Sequence, residues 1–315
     1  MSMVDKNAYP KLAGLVNEIL AIWPDHDRFL EKSLGDRDQE FMLHSEKLAS
    51  MISRLSSAID GGLRTLANDY RFLCQEIVLP EELHFRRTGS YRLSRFEDAM
   101  REVYGDRAFM ARYMNGLLVS DVIWINHCRG LQHYVNFISQ LKPEAEVLEI
   151  GPGHGLLLYL ARERQDLKRL SAWDVSQASL DMSRHALETL GAGRPVTFEL
   201  KNIFDQSIID PENAGLFDAI VLSEVLEHLE HPDQAVRVLH HLCKPGGRVW
   251  INVPANSPAP DHLYLVSEPK QAEELVRSVG FDVVDIASFV MTGTTMERAI
   301  KRKLTISCIV VGEKR

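Results

Sequence analysis

The run from Glu146 to Gly155, EVLEIGPGHG, constrains this chain more than any other segment. Its apolar stretch ends in glycines at alternate positions, so a strand must turn there sharply into a helix. Gly151, Gly153 and Gly155 lack a Cβ and tolerate positive φ, which lets the backbone pass within contact distance of a ligand while the following amides point toward it. Leu156 to Arg164 reads as the helix, with Leu156, Leu157, Leu160 and Ala161 on one face. Leu170 to Asp174 then reads as a short buried strand ending in a carboxylate, 19 residues beyond Gly155. A carboxylate at the tip of the second strand is placed to accept both ribose hydroxyls of an adenosine.

The glycine spacing argues against a nicotinamide enzyme. Gly-x-Gly-x-Gly lacks the glycine one position later that packs the helix of a dinucleotide fold against its sheet, and Glu149 stands where that fold usually has an apolar residue. An acidic residue, an apolar residue and then these glycines resemble the first motif of the class I S-adenosylmethionine-dependent methyltransferases. The resemblance runs in order to the C-terminus. Residues 196–205 look like the third strand and its loop, 217–232 like the fourth strand and its exit, 242–254 like the fifth, and 281–290 with 304–311 like the closing pair. The implied fold class is α/β: a Rossmann-like seven-stranded methyltransferase sheet with an N-terminal mainly helical domain. The implied cofactor is S-adenosylmethionine, leaving S-adenosylhomocysteine. By that resemblance Glu149, Gly151, Gly153, Gly155, Asp174, Val175, Ser223 and Glu224 would contact it, with Asn202 beside the adenine amino group and Ile203 against the ring.

Composition narrows the partners. The chain has 315 residues, 45% hydrophobic and 25% charged, enough for two domains with cores of their own. A net charge of −8 repels a polyanion on average, so nucleic acid is not the expected substrate. Cys74, Cys128, Cys243 and Cys308 are far apart and read as reduced core thiols. The first residues lack a basic-then-apolar leader, and no run of eighteen apolar residues occurs. The expectation is a cytoplasmic protein with no membrane partner.

Residues 1–108 are expected to form a helical, winged-helix-like dimerisation or lid domain, and the chain a homodimer. Leu12, Leu15, Val16, Ile19 and Leu20 share one helical face. A second amphipathic run extends from Glu40 to Ile59, Gly61 and Gly62 break it, and a third helix from Leu63 to Val78 is expected to stop before Pro80. Leu83 to Ser94 alternates about a Thr-Gly-Ser turn as a hairpin wing would. Residues 109–140 are expected to be a helical connector, and 141–315 the S-adenosylmethionine-binding domain. The connector mixes polar and aromatic side chains into an apolar segment. Tyr113, Trp124, Asn126 and His127 are the expected substrate-binding residues, weighed against ordinary interhelical hydrogen bonding.

A sulfonium methyl is already activated, so the protein chiefly aligns a nucleophile behind it and supplies a base where a proton must leave. His228, with Glu227, follows the fourth strand, and His262 follows the fifth in a proline-rich loop. These three are the expected catalytic residues, since parallel sheets open their carboxyl edge to ligands. His228, His231 or His262 with Asp261 or Glu227 would also suit zinc or iron. No fixed ligand spacing supports that, and no metal is assigned. Glu224 and Glu227 raise a second reading, a carboxylate clamp on a protein or peptide arginine. A third is a non-catalytic, cofactor-binding regulator. The reading preferred is methyl transfer to a small molecule such as an amino acid or 2-oxo acid, on O, N or an acidic carbon.

Overall fold

The computed structural model describes residues 3–315. Its contacts divide the chain into two compact units. One comprises residues 1–132 with 258–261 and 289–304, the other residues 133–257 with 262–288 and 305–315.

The first unit is helical. It begins with α1 (Pro10–Ile22), α2 (Asp27–Gly35), α3 (Gln39–Ser56) and α4 (Gly62–Phe72). The Asp38 carboxylate caps α3 by accepting the Phe41 amide at 2.8 Å. Gly61, at φ +78°, supplies the expected break before α4.

Two expectations fail beyond that point. The chain does not stop before Pro80. A π-helical turn, Leu73–Val78, runs directly into α5 (Leu79–Thr88), with the Leu79 amide reaching back to the Cys74 carbonyl. Widening the ladder in this turn accommodates a residue that has no amide hydrogen to give. The expected hairpin from Leu83 to Ser94 is absent as well, because α5 occupies its first half. Glu82 and Arg86 pair at i, i+4, Phe85 is buried, and Gly89 at φ +75° ends the helix. The alternation seen in the sequence is a helix end followed by an irregular turn, and among the described residues 83–94 form no hairpin wing.

Next come α6 (Phe96–Ala99), α7 (Arg107–Ile123) and α8 (Ile125–Ser139), the last crossing the boundary between the units. Asp106 caps α7, its carboxylate accepting the Ala108 and Phe109 amides.

The second unit holds a seven-stranded sheet. Its strands are β1 (Glu146–Ile150), β2 (Arg169–Asp174), β3 (Thr197–Leu200), β4 (Phe217–Ser223), β5 (Cys243–Ala255), β6 (Phe281–Val290) and β7 (Ile306–Lys314), ordered β3-β2-β1-β4-β5-β7-β6. The first five are mutually parallel and β7 runs antiparallel to β5. Parallel neighbours need crossovers, and α9 (Leu156–Arg162), α10 (Gln177–Leu190) and α11 (Pro232–Leu242) supply three of them. The remaining helices are α12 (Pro269–Ser278) and, in the first unit, α13 (Met296–Arg302). Strands β1 and β4 are buried almost throughout, as central parallel strands are.

The sheet order reverses between β1 and β4, so their carboxyl ends open the crevice in which such folds bind ligands. All four cysteines are unpaired, and burial pushes the Cys243 and Cys308 thiols up to about 12. Among the described residues no helix is long and apolar enough to cross a membrane.

Candidate active site

The turn after β1 has the backbone its sequence demands. Gly151, Gly153 and Gly155 take φ of +71°, +53° and +78°. A Cβ at Gly151 would lie 2.6 Å from Val225 Cγ2, and one at Gly155 3.0 Å from the Ser183 backbone. Glycine is thus required twice over, by dihedral angle and by space. The Gly151 amide donates to the Trp173 carbonyl at 2.9 Å, and the Ser183 hydroxyl donates to the Gly153 carbonyl at 2.9 Å. His154 accepts the Leu156 amide at the helix start.

At the tip of β2 the Asp174 carboxylate accepts from the Ser176 amide at 2.8 Å and the Ser179 hydroxyl at 2.6 Å. Burial raises its pKa, and these hydrogen bonds only partly offset the rise. Val175 beside it is exposed. The Lys201 amide donates to the Asp174 carbonyl at 2.9 Å, which draws the loop after β3 alongside. In that loop Asn202 Oδ1 accepts the Phe204 amide at 3.0 Å, and Ile203 is buried.

Glu149 is 2% exposed in the middle of β1, and its Oε2 has no hydrogen-bond partner. Burial drives its pKa well up. A buried acceptor without a donor, beside a turn that has no room for a Cβ at Gly151 or Gly155, fits a ligand that brings both N–H groups and close backbone contact. S-adenosylmethionine is such a ligand.

Beyond β4 the chain is held in a strained form. Glu224 sits at φ +52°, a region that costs a non-glycine residue about 1–2 kcal/mol. Asn252 of β5 fixes it there. The Asn252 carbonyl accepts the Glu224 amide at 2.8 Å, and its Nδ2 donates to Glu224 Oε1 at 2.8 Å and to Ser223 Oγ at 3.2 Å. Asn252 was not among the residues expected from sequence. Its signal is an amide placed in the otherwise apolar stretch VWINVPA.

A 3-10 turn, Leu226–His228, follows and places Glu227 at 0% exposure. The Glu227 carbonyl accepts both the Leu263 amide at 2.7 Å and the Tyr264 amide at 2.9 Å, which stitches the post-β5 loop onto this turn. The loop is closed at its base. Ala255 bridges Val266, and the Asn256 amide donates to the Val266 carbonyl at 2.9 Å.

His262, 6% exposed, stands in this loop with Nδ1 2.6 Å from the Ser257 carbonyl. A carbonyl only accepts, so Nδ1 carries the hydrogen and the neutral ring keeps its lone pair on Nε2. That Nε2 is 4.0 Å from Glu227 Oε1, and His228 Nε2 is 3.9 Å from the same oxygen. The two rings are 4.9 Å apart and nearly perpendicular. The structure thus brings all three expected catalytic side chains together within one unit. Val225, two residues from Glu227, occupies the space that a Cβ at Gly151 would need.

The four residues expected to bind substrate are in the helical unit. Tyr113 donates to Asp261 Oδ1 at 3.2 Å, and Trp124 Nε1 donates to Tyr70 at 3.0 Å. His127 Nδ1 lies 3.1 Å from the Ser120 hydroxyl, and Asn126 is buried. The bonds of Tyr113, Trp124 and His127 are of the interhelical or loop kind. Asp261 also receives the Tyr104 hydroxyl at 3.1 Å. Neither it nor His231 joins the Glu227, His228 and His262 cluster.

Comparison with known proteins agrees with this architecture. A family model described as a methyltransferase domain matches residues 124–302, more than half of the chain. The ubiquinone biosynthesis O-methyltransferase of Vibrio parahaemolyticus is 30% identical over 162 residues, 51% of this chain and 63% of that protein. Its counterpart in Xanthomonas axonopodis is 31% identical over 133 residues, 41% of this chain and 51% of that one. The chain therefore spans between half and two thirds of the length of these relatives. Among solved structures, the apo form of the S-adenosylmethionine-dependent methyltransferase SibL superposes with a TM-score of 0.53 at 15% identity, over 82% of this chain and 76% of that one. The methyltransferase in a Haloferax volcanii complex with the activator Trm112 gives 0.51 at 16% identity, over 65% and 94%. With its glycine turn, its strand order and this matching model, the chain belongs to the class I S-adenosylmethionine-dependent methyltransferases.

Proposed function

We propose that the protein transfers a methyl group from S-adenosylmethionine to an oxygen of a small-molecule acceptor. The observation that carries this reading is the cluster of buried Glu227 and His262 with partly exposed His228, two residues along the chain from Val225, which fills the space beside Gly151. Bound S-adenosylmethionine supplies a methyl group made electrophilic by its sulfonium.

Each element of the chain then has a task. The turn at Gly151, Gly153 and Gly155 would let the cofactor lie directly against the protein backbone. Asp174, steadied by Ser179, accepts the ribose hydroxyls, while Asn202 and Ile203 meet the adenine and Glu149 receives donors from the amino acid end. Val175, Ser223 and Glu224 complete the wall. Glu227, His228 and His262 would hold the acceptor hydroxyl and ease loss of its proton, and the cofactor would supply the methyl group to that oxygen.

A macromolecular acceptor fits less well. The arginine clamp needs Glu224 and Glu227 presented as a pair, yet Glu224 is engaged by Asn252 and Glu227 is fully buried. The relatives named above act, by their names, in ubiquinone biosynthesis, and a phenolic or similar small acceptor suits an enclosed base. The test is radiolabelled methyl transfer in a cell extract treated with the purified chain. Label is expected in the small-molecule fraction, and label confined to protein or nucleic acid would sink the reading.

A further inference from the structure

We propose that Glu227, His228 and His262 bind one divalent transition-metal ion of the zinc or iron(II) class, which seats an acceptor through two neighbouring oxygens. The acceptor half of this proposal rests on the methyl-transfer reading; the ion-binding half does not.

Three observations converge on the ion. One ligand atom from each of the three side chains lies within 4.8 Å of the other two. Two imidazoles and one carboxylate are a donor set for zinc and non-haem iron, and three protein ligands leave positions open for substrate. The separations of 3.9 and 4.0 Å from Glu227 Oε1 exceed hydrogen-bond length. Ligands about 2.0–2.1 Å from a shared ion stand roughly 3.3 Å apart in a tetrahedral site. Binding therefore asks each glutamate–histidine pair to close by about 0.6–0.7 Å and the two imidazole nitrogens, within 4.8 Å of each other, by at most about 1.5 Å.

The second observation is the tautomer. His262 gives its Nδ1 hydrogen to the Ser257 carbonyl at 2.6 Å, which puts the Nε2 lone pair of the neutral ring on the side of Glu227. A backbone carbonyl on the far nitrogen is how metal-binding histidines are oriented. The third is the scaffold. Paired amide bonds from Leu263 and Tyr264 to the Glu227 carbonyl lock the loop bearing His262 to the turn bearing the other two ligands. Such a site is preformed on rigid backbone, and a small inward shift of side chains completes it.

The ion gives the cluster a way to choose its substrate. A molecule with a hydroxyl next to a second hydroxyl, carbonyl or carboxylate chelates through both oxygens. Coordination acidifies the hydroxyl, whose proton leaves to solvent. The oxygen's electron pair then forms the O–CH3 bond while the S–CH3 pair stays on sulfur, and no oxidant or reductant is needed.

The experiment uses the full chain stripped with chelator and titrated calorimetrically with Zn²⁺, then with Co²⁺ as an absorbing probe. One equivalent of Zn²⁺ and a visible Co²⁺ band are expected. His262→Ala should weaken Zn²⁺ binding by ~100-fold or more, and His228→Ala, at a partly exposed side chain, should do the same without threatening the fold. S-adenosylhomocysteine affinity should be unchanged in both. No binding by the wild-type chain overturns the proposal, as does wild-type affinity retained in both variants, which would place Zn²⁺ on other members of the 12 histidines. If the ion binds but S-adenosylhomocysteine does not, only the acceptor half falls.

Discussion

The two ends of strand β4 handle buried polar groups in opposite ways. At the amino end Asp218 is saturated. It receives Lys142 Nζ at 2.8 Å, Lys244 Nζ at 2.7 Å and the Glu146 amide at 2.9 Å, and Lys244 also reaches Glu146 Oε2 at 2.6 Å. At the carboxyl end Glu227 faces two imidazoles at 3.9 and 4.0 Å, both outside hydrogen-bond reach. Saturation within bonding distance locks a structure, because every displacement breaks a contact. Groups aimed at one point but held just short of one another are positioned for something that arrives later. On the proposed reading the strand has a stabilising end and a chemical end, since parallel sheets bind ligands beyond their carboxyl edge.

The largest effect should come from the chemical end. His262→Ala is expected to lower turnover by roughly 10²- to 10⁴-fold, the range for losing a group that assists departure of the acceptor's proton. The thermal midpoint should move little, since one loop side chain is lost and the paired amides at Leu263 and Tyr264 remain. Full turnover in this variant would dissolve the distinction between the two ends. A collapsed midpoint would instead place His262 with the structural groups.

How much of this contrast can be read in the sequence depends on the range of the forces involved. The glycine turn, the strand order and Asp174 follow from local chemistry: backbone freedom, period and the end of an apolar run. They lie where the sequence puts them. Glu227 and His228 are neighbours in the chain, but His262 is 34 residues away and joins them only through amide bonds from Leu263 and Tyr264 to one carbonyl. No side-chain pattern encodes that stitch, so the ligand spacing is invisible in one dimension. The same holds for Asn252, whose role is to hold Glu224 at a strained φ. The errors near Pro80 and at Leu83 to Ser94 are different. A π-turn absorbed the proline, and i, i+4 pairing outweighed a short alternation that suited either helix or strand.

The next effect in size concerns the tether of the cofactor. Asp174→Ala should weaken S-adenosylmethionine binding by on the order of 1 to 3 kcal/mol, the worth of charge-assisted hydrogen bonds to ribose hydroxyls. Ser179→Ala, which only removes the 2.6 Å bond steadying Asp174, should have a smaller effect in the same direction. Calorimetry on the two variants checks the ranking. Unchanged affinity in Asp174→Ala would show that the carboxylate serves the Ser176 turn alone.

The smallest effect is at the saturated end and appears only in acid. Burial pushes the Asp218 carboxyl up, but Lys142, Lys244 and the Glu146 amide outweigh it and bring its pKa from 3.8 down to about 2. A depressed acid stabilises the fold fully above its unfolded value and loses that contribution as pH falls through the folded one. Wild-type unfolding free energy should therefore drop by on the order of 1–2 kcal/mol between about pH 4 and pH 2, a figure reduced by the exposure of Lys142 to solvent. Asp218→Asn should be less stable at neutral pH and flatter across that window. Parallel acid profiles for the two proteins would mean that other carboxylates carry the pH dependence. Glu146 is the first to suspect, because the same Lys244 holds its pKa below the usual range.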